Sequence, residues 1–167
     1  IYQVVADSVF VAYMRRMMQR EVAPSLTVPQ GVDLRAYQDA LVQRFRNPAL
    51  PHRTQQIAMD GSQKLPQRLL GTVRDRIAAG ASFRHLALAI AGWIRYASGT
   101  DERGRPIAVS DPLAPTFAQI VLNAGNDPAR IASGFLDLAS VFGDLATHTA
   151  FRSAVTGNVV ALFREGV

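Results

Sequence analysis

The first quarter of the chain carries two amphipathic segments joined by a loop. Residues 7–23 place apolar side chains every three or four positions, which predicts a helix capped by Asp7 or Ser8 and stopped by Pro24. A second apolar stripe follows Asp33 and predicts a helix that ends at an Asn-Pro pair. We expect the methionines of the first segment to fill the core, as methionine at helical spacing usually does.

The rest of the chain continues this pattern, with capping residues, prolines and glycines at the predicted boundaries. Residues 83–99, capped by Ser82, are apolar nearly all round, which is typical of a central buried helix. Residues 100–113 have turn character and a short β-like run, which predicts a small excursion or an irregular hairpin. We therefore predict an all-α domain of about seven helices with at most one short β-hairpin. Its helices after the first lie at 33–46, 65–80, 82–99, 114–124, 127–142 and 147–164.

A dense polar stretch precedes the predicted helix at Leu65. Asp60 can bond backbone N–H groups two residues on, and Gly61 permits a positive φ, so Met59–Ser62 has good turn chemistry. Lys64 would stand just before a helix start, where the helix dipole favours anions rather than cations. We expect it either to bind ligand oxygens, such as a carboxylate or sugar hydroxyls, or to flank a solvated turn.

Composition narrows the class of protein. The 167 residues are 49% hydrophobic and 19% charged, which is typical of one folded domain with a real core. Cysteine is absent, so disulfides and thiolate metal sites are excluded. That is compatible with a reducing cytosol, and we expect a cytoplasmic protein. No apolar run is long enough for a membrane span. Because the chain begins with Ile1 inside an apolar stretch, we expect it to be a piece of a longer protein.

Several familiar site patterns are missing. The residues around Ser62 and Lys64 lack the phosphate-loop pattern and the S-x-x-K spacing of a nucleophile and its base. The histidines form no H-x3-H pair, so no metal site is predicted. We expect His85 to be structural and His148 to start a helix, whereas His52 lies beside the polar stretch and could line a site.

The basic balance leaves a second hypothesis open. The formal net charge is +5, and arginines are concentrated in the first third of the chain, among them Arg15, Arg16, Arg20, Arg44, Arg46 and Arg53. A helical module that binds nucleic acid or a protein partner would use such residues. No helix-turn-helix pattern or aromatic interleaving accompanies them, so solvated helix faces explain them more simply.

A long stretch of the sequence resembles a known family. Residues 44–68, RFRNPALPHRTQQIAMDGSQKLPQR, are similar to the C-terminal domain of polyol-specific long-chain dehydrogenases, the mannitol dehydrogenase and fructuronate reductase family. REVAPSL at 20–26, the run at 91–113 and FGDL near 142 match as well. The resemblance covers essentially the whole chain, and its form is most similar to fructuronate reductases and to bacterial proteins labelled mannitol dehydrogenases.

The resemblance implies a division of labour between two domains. Residues 1–167 would form a single helical C-terminal domain, like those of 6-phosphogluconate-dehydrogenase-like enzymes, that completes the substrate site. A Rossmann-like N-terminal domain would bind NAD or NADP. The family's Lys-x4-Asn-x2-His motif is not found here, so the resemblance implies no catalytic residue in this chain and no activity of the chain alone. No metal, nucleic acid or membrane partner is implied.

The resemblance also assigns substrate-binding residues. Lys64 matches a family lysine that contacts substrate oxygens, and Gln56 stands where mannitol-type members carry a substrate-contacting arginine. Asp60 and Ser62 belong to the matching DGS block, which would shape the turn that presents Lys64, and His52 would lie beside them. The expected substrate is a ketose or keto-uronate interconverted with its polyol or aldonate by hydride transfer.

Overall fold

The computed structural model describes residues 4–49, 54–125 and 127–166. Their helices, in chain order, are α1 (Ser8–Met17), α2 (Leu34–Arg46), α3 (Thr54–Ala58), α4 (Gly61–Leu65), α5 (Gly71–Ala78), α6 (Arg84–Ala97), α7 (Ala114–Ala124), α8 (Pro128–Leu136), α9 (Ala139–Phe142) and α10 (Thr149–Glu165). Short 3-10 turns cover Val4–Ala6, Ala23–Ser25 and Gly143–Thr147, and π-helical turns cover Met18–Val22 and Pro66–Leu70. The prediction of an all-α fold is confirmed.

Helix α6 is the centre of the fold, as its nearly continuous apolar sequence predicts. It packs against α10, which also packs on α8, while α8 pairs with α7. Leu86, Ile90 and Ile94 of α6 are fully buried. Trp93 of the same helix makes edge-to-face contacts with Phe117, Phe135 and Phe142, whose ring centroids lie 5.5, 5.7 and 6.3 Å away. Such aromatic packing fixes the indole, because several rings would have to move with it.

A smaller apolar cluster joins the N-terminal helices. Val5, Val11 and Val42 are buried together, with Met14 and Met18 packed against them, while Met17 packs against the main core. The predicted core role of the methionines is therefore confirmed. Asp7 caps α1, Asp33 caps α2 and Asn47 ends α2, as expected from sequence.

The start of α6 differs from its predicted cap. Phe83 rather than Ser82 stands at the cap position, and no local side chain bonds the helix start. Glu21 supplies the acceptor from far along the chain: Oε1 accepts from the His85 N–H at 2.9 Å and Oε2 from the Leu86 N–H at 2.8 Å. Its Oε1 also lies 2.6 Å from Nδ1 of His85. Glu21 is almost fully buried, and these bonds to free N–H groups compensate its charge.

Two other boundaries were predicted wrongly. The helix expected from Leu65 begins at Gly61, and its π-helical turn begins at Pro66, which has no N–H to donate inside a helix. The single helix expected over 127–142 is interrupted at Leu138, which leaves the helical conformation at ψ 84°. Within the described residues, the small excursion expected at 100–113 contains one isolated bridge, between Thr100 and Pro106.

Candidate functional site

The polar stretch folds as a sharp turn between α3 and α4, and Asp60 adopts the left-handed conformation at its centre. Asp60 has φ 55° and ψ 35°, and its side chain makes no capping bond. Its N–H donates to the Ser110 carbonyl at 3.0 Å, and its own carbonyl accepts from the N–H groups of Gln63 and Lys64. The sequence predicts a positive φ at Gly61 and a side-chain turn bond from Asp60, and both predictions are wrong. Aspartate is among the few non-glycine residues that tolerate this conformation.

Gly61 is required for a different reason, the close approach of Trp93. A Cβ atom built on Gly61 would lie 2.1 Å from the indole Nε1 and 2.7 Å from Cδ1. The backbone of the turn therefore lies directly against the indole, with no room for a side chain. This contact joins the first residue of α4 to the centre of the main core.

Ser62 is buried and bound to a carboxylate that lies far away in sequence. Its N–H donates to Oδ2 of Asp111 at 2.8 Å, and its hydroxyl donates to Oδ1 of the same residue at 2.7 Å. Only 7% of the Ser62 surface is exposed, so its hydroxyl is committed to an internal bond. Asp111 thus provides the N-terminal cap of α4, and Ser62 anchors the turn.

The ammonium of Lys64 folds back towards the end of α3. Its Nζ donates to the carbonyls of Met59 and Ile57, at 2.5 and 3.3 Å. The expected position ahead of a helix start was wrong, because Lys64 lies within α4 and its charge instead complements carbonyls at the end of α3. An ammonium has three N–H donors. Two are used by these carbonyls, and the third has no acceptor among the described residues.

The remaining predicted residues are less closely placed. Gln56 is exposed on α3, immediately before the residue whose carbonyl binds Lys64. His52 lies outside the described residues. The structure therefore places Asp60 in the turn, Ser62 and Lys64 in the helix α4 that follows it, and Gln56 in the helix α3 that precedes it.

An open groove of about 430 Å³ flanks the other side of α4. It is lined by Ser62, Gln63, Pro66, Gln67, Pro112, Leu113, Ser140 and Val141. Lys64 does not line it, because residues 62, 63, 66 and 67 share one face of the helical run and residue 64 points elsewhere. The Lys64 ammonium therefore lies on the α3 side of α4, away from this groove.

Sequence reasoning missed one signal for this lysine. Among the 18 lysine and arginine residues of the chain, Lys64 is the sole lysine. The two residue types differ in chemistry: lysine offers a compact ammonium with three rotatable donors, whereas arginine offers a planar fork. At this position, and at no other in the sequence, the chain carries an ammonium instead of a guanidinium.

The arginine-rich first third is partly committed to internal contacts. Arg15 pairs with Asp39 at 2.5 Å, the Nε of Arg46 donates to the Val5 carbonyl at 3.4 Å, and Arg44 lies over the Phe45 ring. Arg53 lies outside the described residues. These contacts give the nucleic-acid hypothesis no support beyond charge.

Tyr13 and His148 make structural hydrogen bonds. Burial, with a smaller contribution from the charge of Glu21, raises the pKa of Tyr13 to about 12, and its hydroxyl donates to the His85 carbonyl at 2.8 Å. His148 caps α10 by accepting from the Phe151 N–H, as predicted.

Over the described parts of the chain, no three His, Asp or Glu side chains are grouped to hold a metal ion. No helix in those parts is long and apolar enough to cross a membrane.

Comparison with known proteins gives a consistent result. The family model described as the mannitol dehydrogenase C-terminal domain matches residues 1–163. D-mannonate oxidoreductase of Escherichia coli is 46% identical over 99% of this chain, and mannitol 2-dehydrogenase of Aspergillus fumigatus is 32% identical over all of it. The chain spans about a third of the length of these relatives, 35% and 33% respectively.

A solved structure is similar over the same extent. Mannitol 2-dehydrogenase of Pseudomonas fluorescens, in a ternary complex with NAD and D-mannitol, superimposes with a TM-score of 0.90 at 32% identity. The match covers 99% of this chain and 33% of that one.

Proposed function

The chain belongs to the mannitol dehydrogenase C-terminal domain family, and we propose that it is the substrate-binding domain of an NAD-dependent polyol or sugar-acid dehydrogenase. The intact protein would interconvert a ketose or keto-uronate with its polyol or aldonate. Family membership rests on the match to residues 1–163 and on relatives named as oxidoreductases. The observation in the structure that supports the binding role is the ammonium of Lys64, held on a rigid turn with one donor left over.

The reaction would divide between this domain and a nucleotide-binding domain outside the chain. NAD or NADP supplies a hydride acceptor and donor when bound. No βαβ unit with its phosphate-binding turn is formed by the described residues, which are helical apart from turns and one isolated bridge. We therefore assign no residue of this chain to the cofactor. Because the family's Lys-x4-Asn-x2-His motif is not found in the sequence, we also assign none to proton transfer and expect the chain alone to be inactive.

This domain would bind substrate atoms that are remote from the reacting carbon. Lys64 would donate a charge-assisted hydrogen bond to a substrate carboxylate or hydroxyl oxygen, which are the acceptors that an ammonium prefers. Binding energy from such a remote contact orients the reacting carbon against the cofactor. The turn around Asp60 and Ser62 supports this role, because its hydrogen bonds fix the backbone that precedes the lysine.

Gln56 bears on the class of substrate. It is exposed on α3, one position before the residue whose carbonyl accepts from Lys64, and a neutral amide stands where the resemblance expects arginine in mannitol-type members. The relative at 46% identity is a D-mannonate oxidoreductase, whereas the mannitol 2-dehydrogenases of Aspergillus fumigatus and Pseudomonas fluorescens are 32% identical. We propose a sugar acid as the preferred substrate, with Gln56 contacting its hydroxyl oxygens and His52 beside them.

Steady-state kinetics of the intact protein tests the proposal. Lys64→Met should raise the KM for D-mannonate about tenfold or more, since a hydrogen bond to a charged group contributes about 1.5–3 kcal/mol, and should change kcat far less. Arg130→Met, which removes an exposed basic charge on α8, is the matched control and should change neither constant. D-mannitol, measured in parallel, distinguishes a polyol enzyme from a sugar-acid enzyme. An unchanged KM for both substrates in Lys64→Met would remove this lysine from the binding site.

A further inference from the structure

We propose that Asp111 is a positioning residue for substrate binding, which sets the location of the Lys64 ammonium through Ser62 and the start of α4. The inference rests on the proposed role of Lys64. Asp111 does not contact the ammonium; it acts on the turn that carries it. No sequence pattern pointed to it, because it lies 47 positions after Lys64 in a stretch interpreted only as an irregular excursion.

Both oxygens of the Asp111 carboxylate are used. Oδ2 accepts from the Ser62 N–H at 2.8 Å, while Oδ1 accepts from the Ser62 hydroxyl at 2.7 Å and from the Leu113 N–H at 2.9 Å. The carboxylate therefore ties the first turn of α4 to the segment that leads into α7. A negative charge at this point also complements the free N–H groups of a helix start.

The residue before Asp111 holds the other side of the turn. The Ser110 carbonyl accepts from the Asp60 N–H at 3.0 Å, and the Asp60 carbonyl accepts in turn from the Lys64 N–H at 3.0 Å. Consecutive residues 110 and 111 thus hold Asp60 and Ser62, the residues on either side of Gly61. Because Asp60 is in the left-handed conformation, the turn depends on such external bonds to remain in place.

This arrangement predicts that asparagine at position 111 would lose one of the hydrogen bonds that hold the turn. Each carboxylate oxygen accepts from a different backbone N–H, so one of them would face the NH₂ group of an amide in either orientation. Asp127 provides a matched control, because a single oxygen, Oδ1, accepts from both Ala129 and Arg130 at the start of α8. Asparagine can keep both of those bonds.

The test is a double-mutant cycle in the intact protein, with D-mannonate and D-mannitol as substrates. Asp111→Asn should raise the KM of the better substrate about three- to tenfold and change kcat less than about twofold, since small misplacement of a binding group weakens binding. Asp127→Asn should leave both constants unchanged. In the Lys64→Met background, Asp111→Asn should produce no further rise in KM, because residues that act through one another are not additive.

The outcomes separate this inference from the proposed function. If Asp111→Asn lowers only the melting temperature, or if its effect on KM multiplies fully with that of Lys64→Met, the positioning role is overturned while the role of Lys64 stands. If Lys64→Met has no effect on KM, the proposed function fails and this inference fails with it. Should Asp111→Asn not fold, Ser62→Ala, which removes only the hydroxyl bond to Oδ1, should raise KM in the same direction, and an unchanged KM would overturn the inference.

Discussion

Replacement of Gly61 by alanine should destabilise the protein by overpacking the contact between α4 and α6. The new Cβ would lie 2.1 Å from Nε1 of Trp93, whereas ordinary contact begins at 3.4 Å, so the indole or the helix must shift by the difference. Trp93 is enclosed by Phe117, Phe135 and Phe142, so it has little freedom to move away. Overpacking of this kind costs about 1–3 kcal/mol.

The matched control is Gly71→Ala, further along the same helical run. A Cβ on Gly71 meets nothing within 4 Å, and the residue has helical angles of φ −58° and ψ −53°. Alanine is favoured over glycine in helices by about 0.8–1.0 kcal/mol, so this variant should be stabilised. The same preference offsets part of the cost at Gly61, which leaves a net loss of up to about 2 kcal/mol.

Thermal unfolding followed by circular dichroism measures both effects. At about 2–4 °C per kcal/mol for a chain of this size, Gly61→Ala should melt up to about 8 °C below the wild type and Gly71→Ala a few degrees above it. Trp93 is the sole tryptophan of the chain, so its fluorescence should change in the first variant only. A Gly61→Ala variant that melts at or above the wild-type temperature with unchanged fluorescence would refute the contact.

Three further predictions follow from other contacts. Glu21→Gln should lower the free energy of unfolding in urea by about 1–3 kcal/mol, since an amide cannot accept from both backbone N–H groups. The control Glu165→Gln, at an exposed position, should change it by less than about 0.5 kcal/mol. Equal effects of the two variants would contradict the capping role of Glu21. Because the folded pKa of Tyr13 is raised to about 12, the stabilisation from its protonated hydroxyl is complete below pH 10 and is lost as the pH rises towards 12. The difference in unfolding free energy between the wild type and Tyr13→Phe should therefore shrink across that window. A constant difference would contradict this prediction. Gly134→Ala would place a Cβ 2.5 Å from Cγ2 of Ile120 and should lower the melting temperature, whereas Gly157→Ala has open space and should not; similar melting of the two would refute the close α7–α8 approach.

Local signals in the sequence predicted the helices well. Asp7, Asp33 and Asp127 cap the helices that follow them, and the apolar run of α6 is the centre of the core. These features depend on neighbouring residues, so periodicity and capping chemistry are sufficient to find them. The errors fall where a distant residue replaces a local one. Glu21 caps α6 in place of Ser82, and Asp111 caps α4 four residues before its expected start.

The candidate site shows the same limit. The sequence and its resemblance to a family selected Lys64, Asp60 and Ser62, and the structure places Asp60 in the turn and the other two within α4. The physical reasons were different from those expected: Asp60 rather than Gly61 takes the left-handed conformation, and Gly61 makes room for Trp93. Neither the indole nor the Asp111 carboxylate could be assigned to the turn from sequence, because each lies more than 30 positions away.

The most direct test of the account is the position of the Lys64 ammonium in a crystal structure of the intact protein with NAD and D-mannonate. We expect Nζ to lie about 2.7–3.2 Å from an oxygen of the sugar acid while it keeps its bond to the Met59 carbonyl. A bound substrate with all of its oxygens well beyond hydrogen-bond distance from Nζ would contradict the central claim that this ammonium holds the substrate.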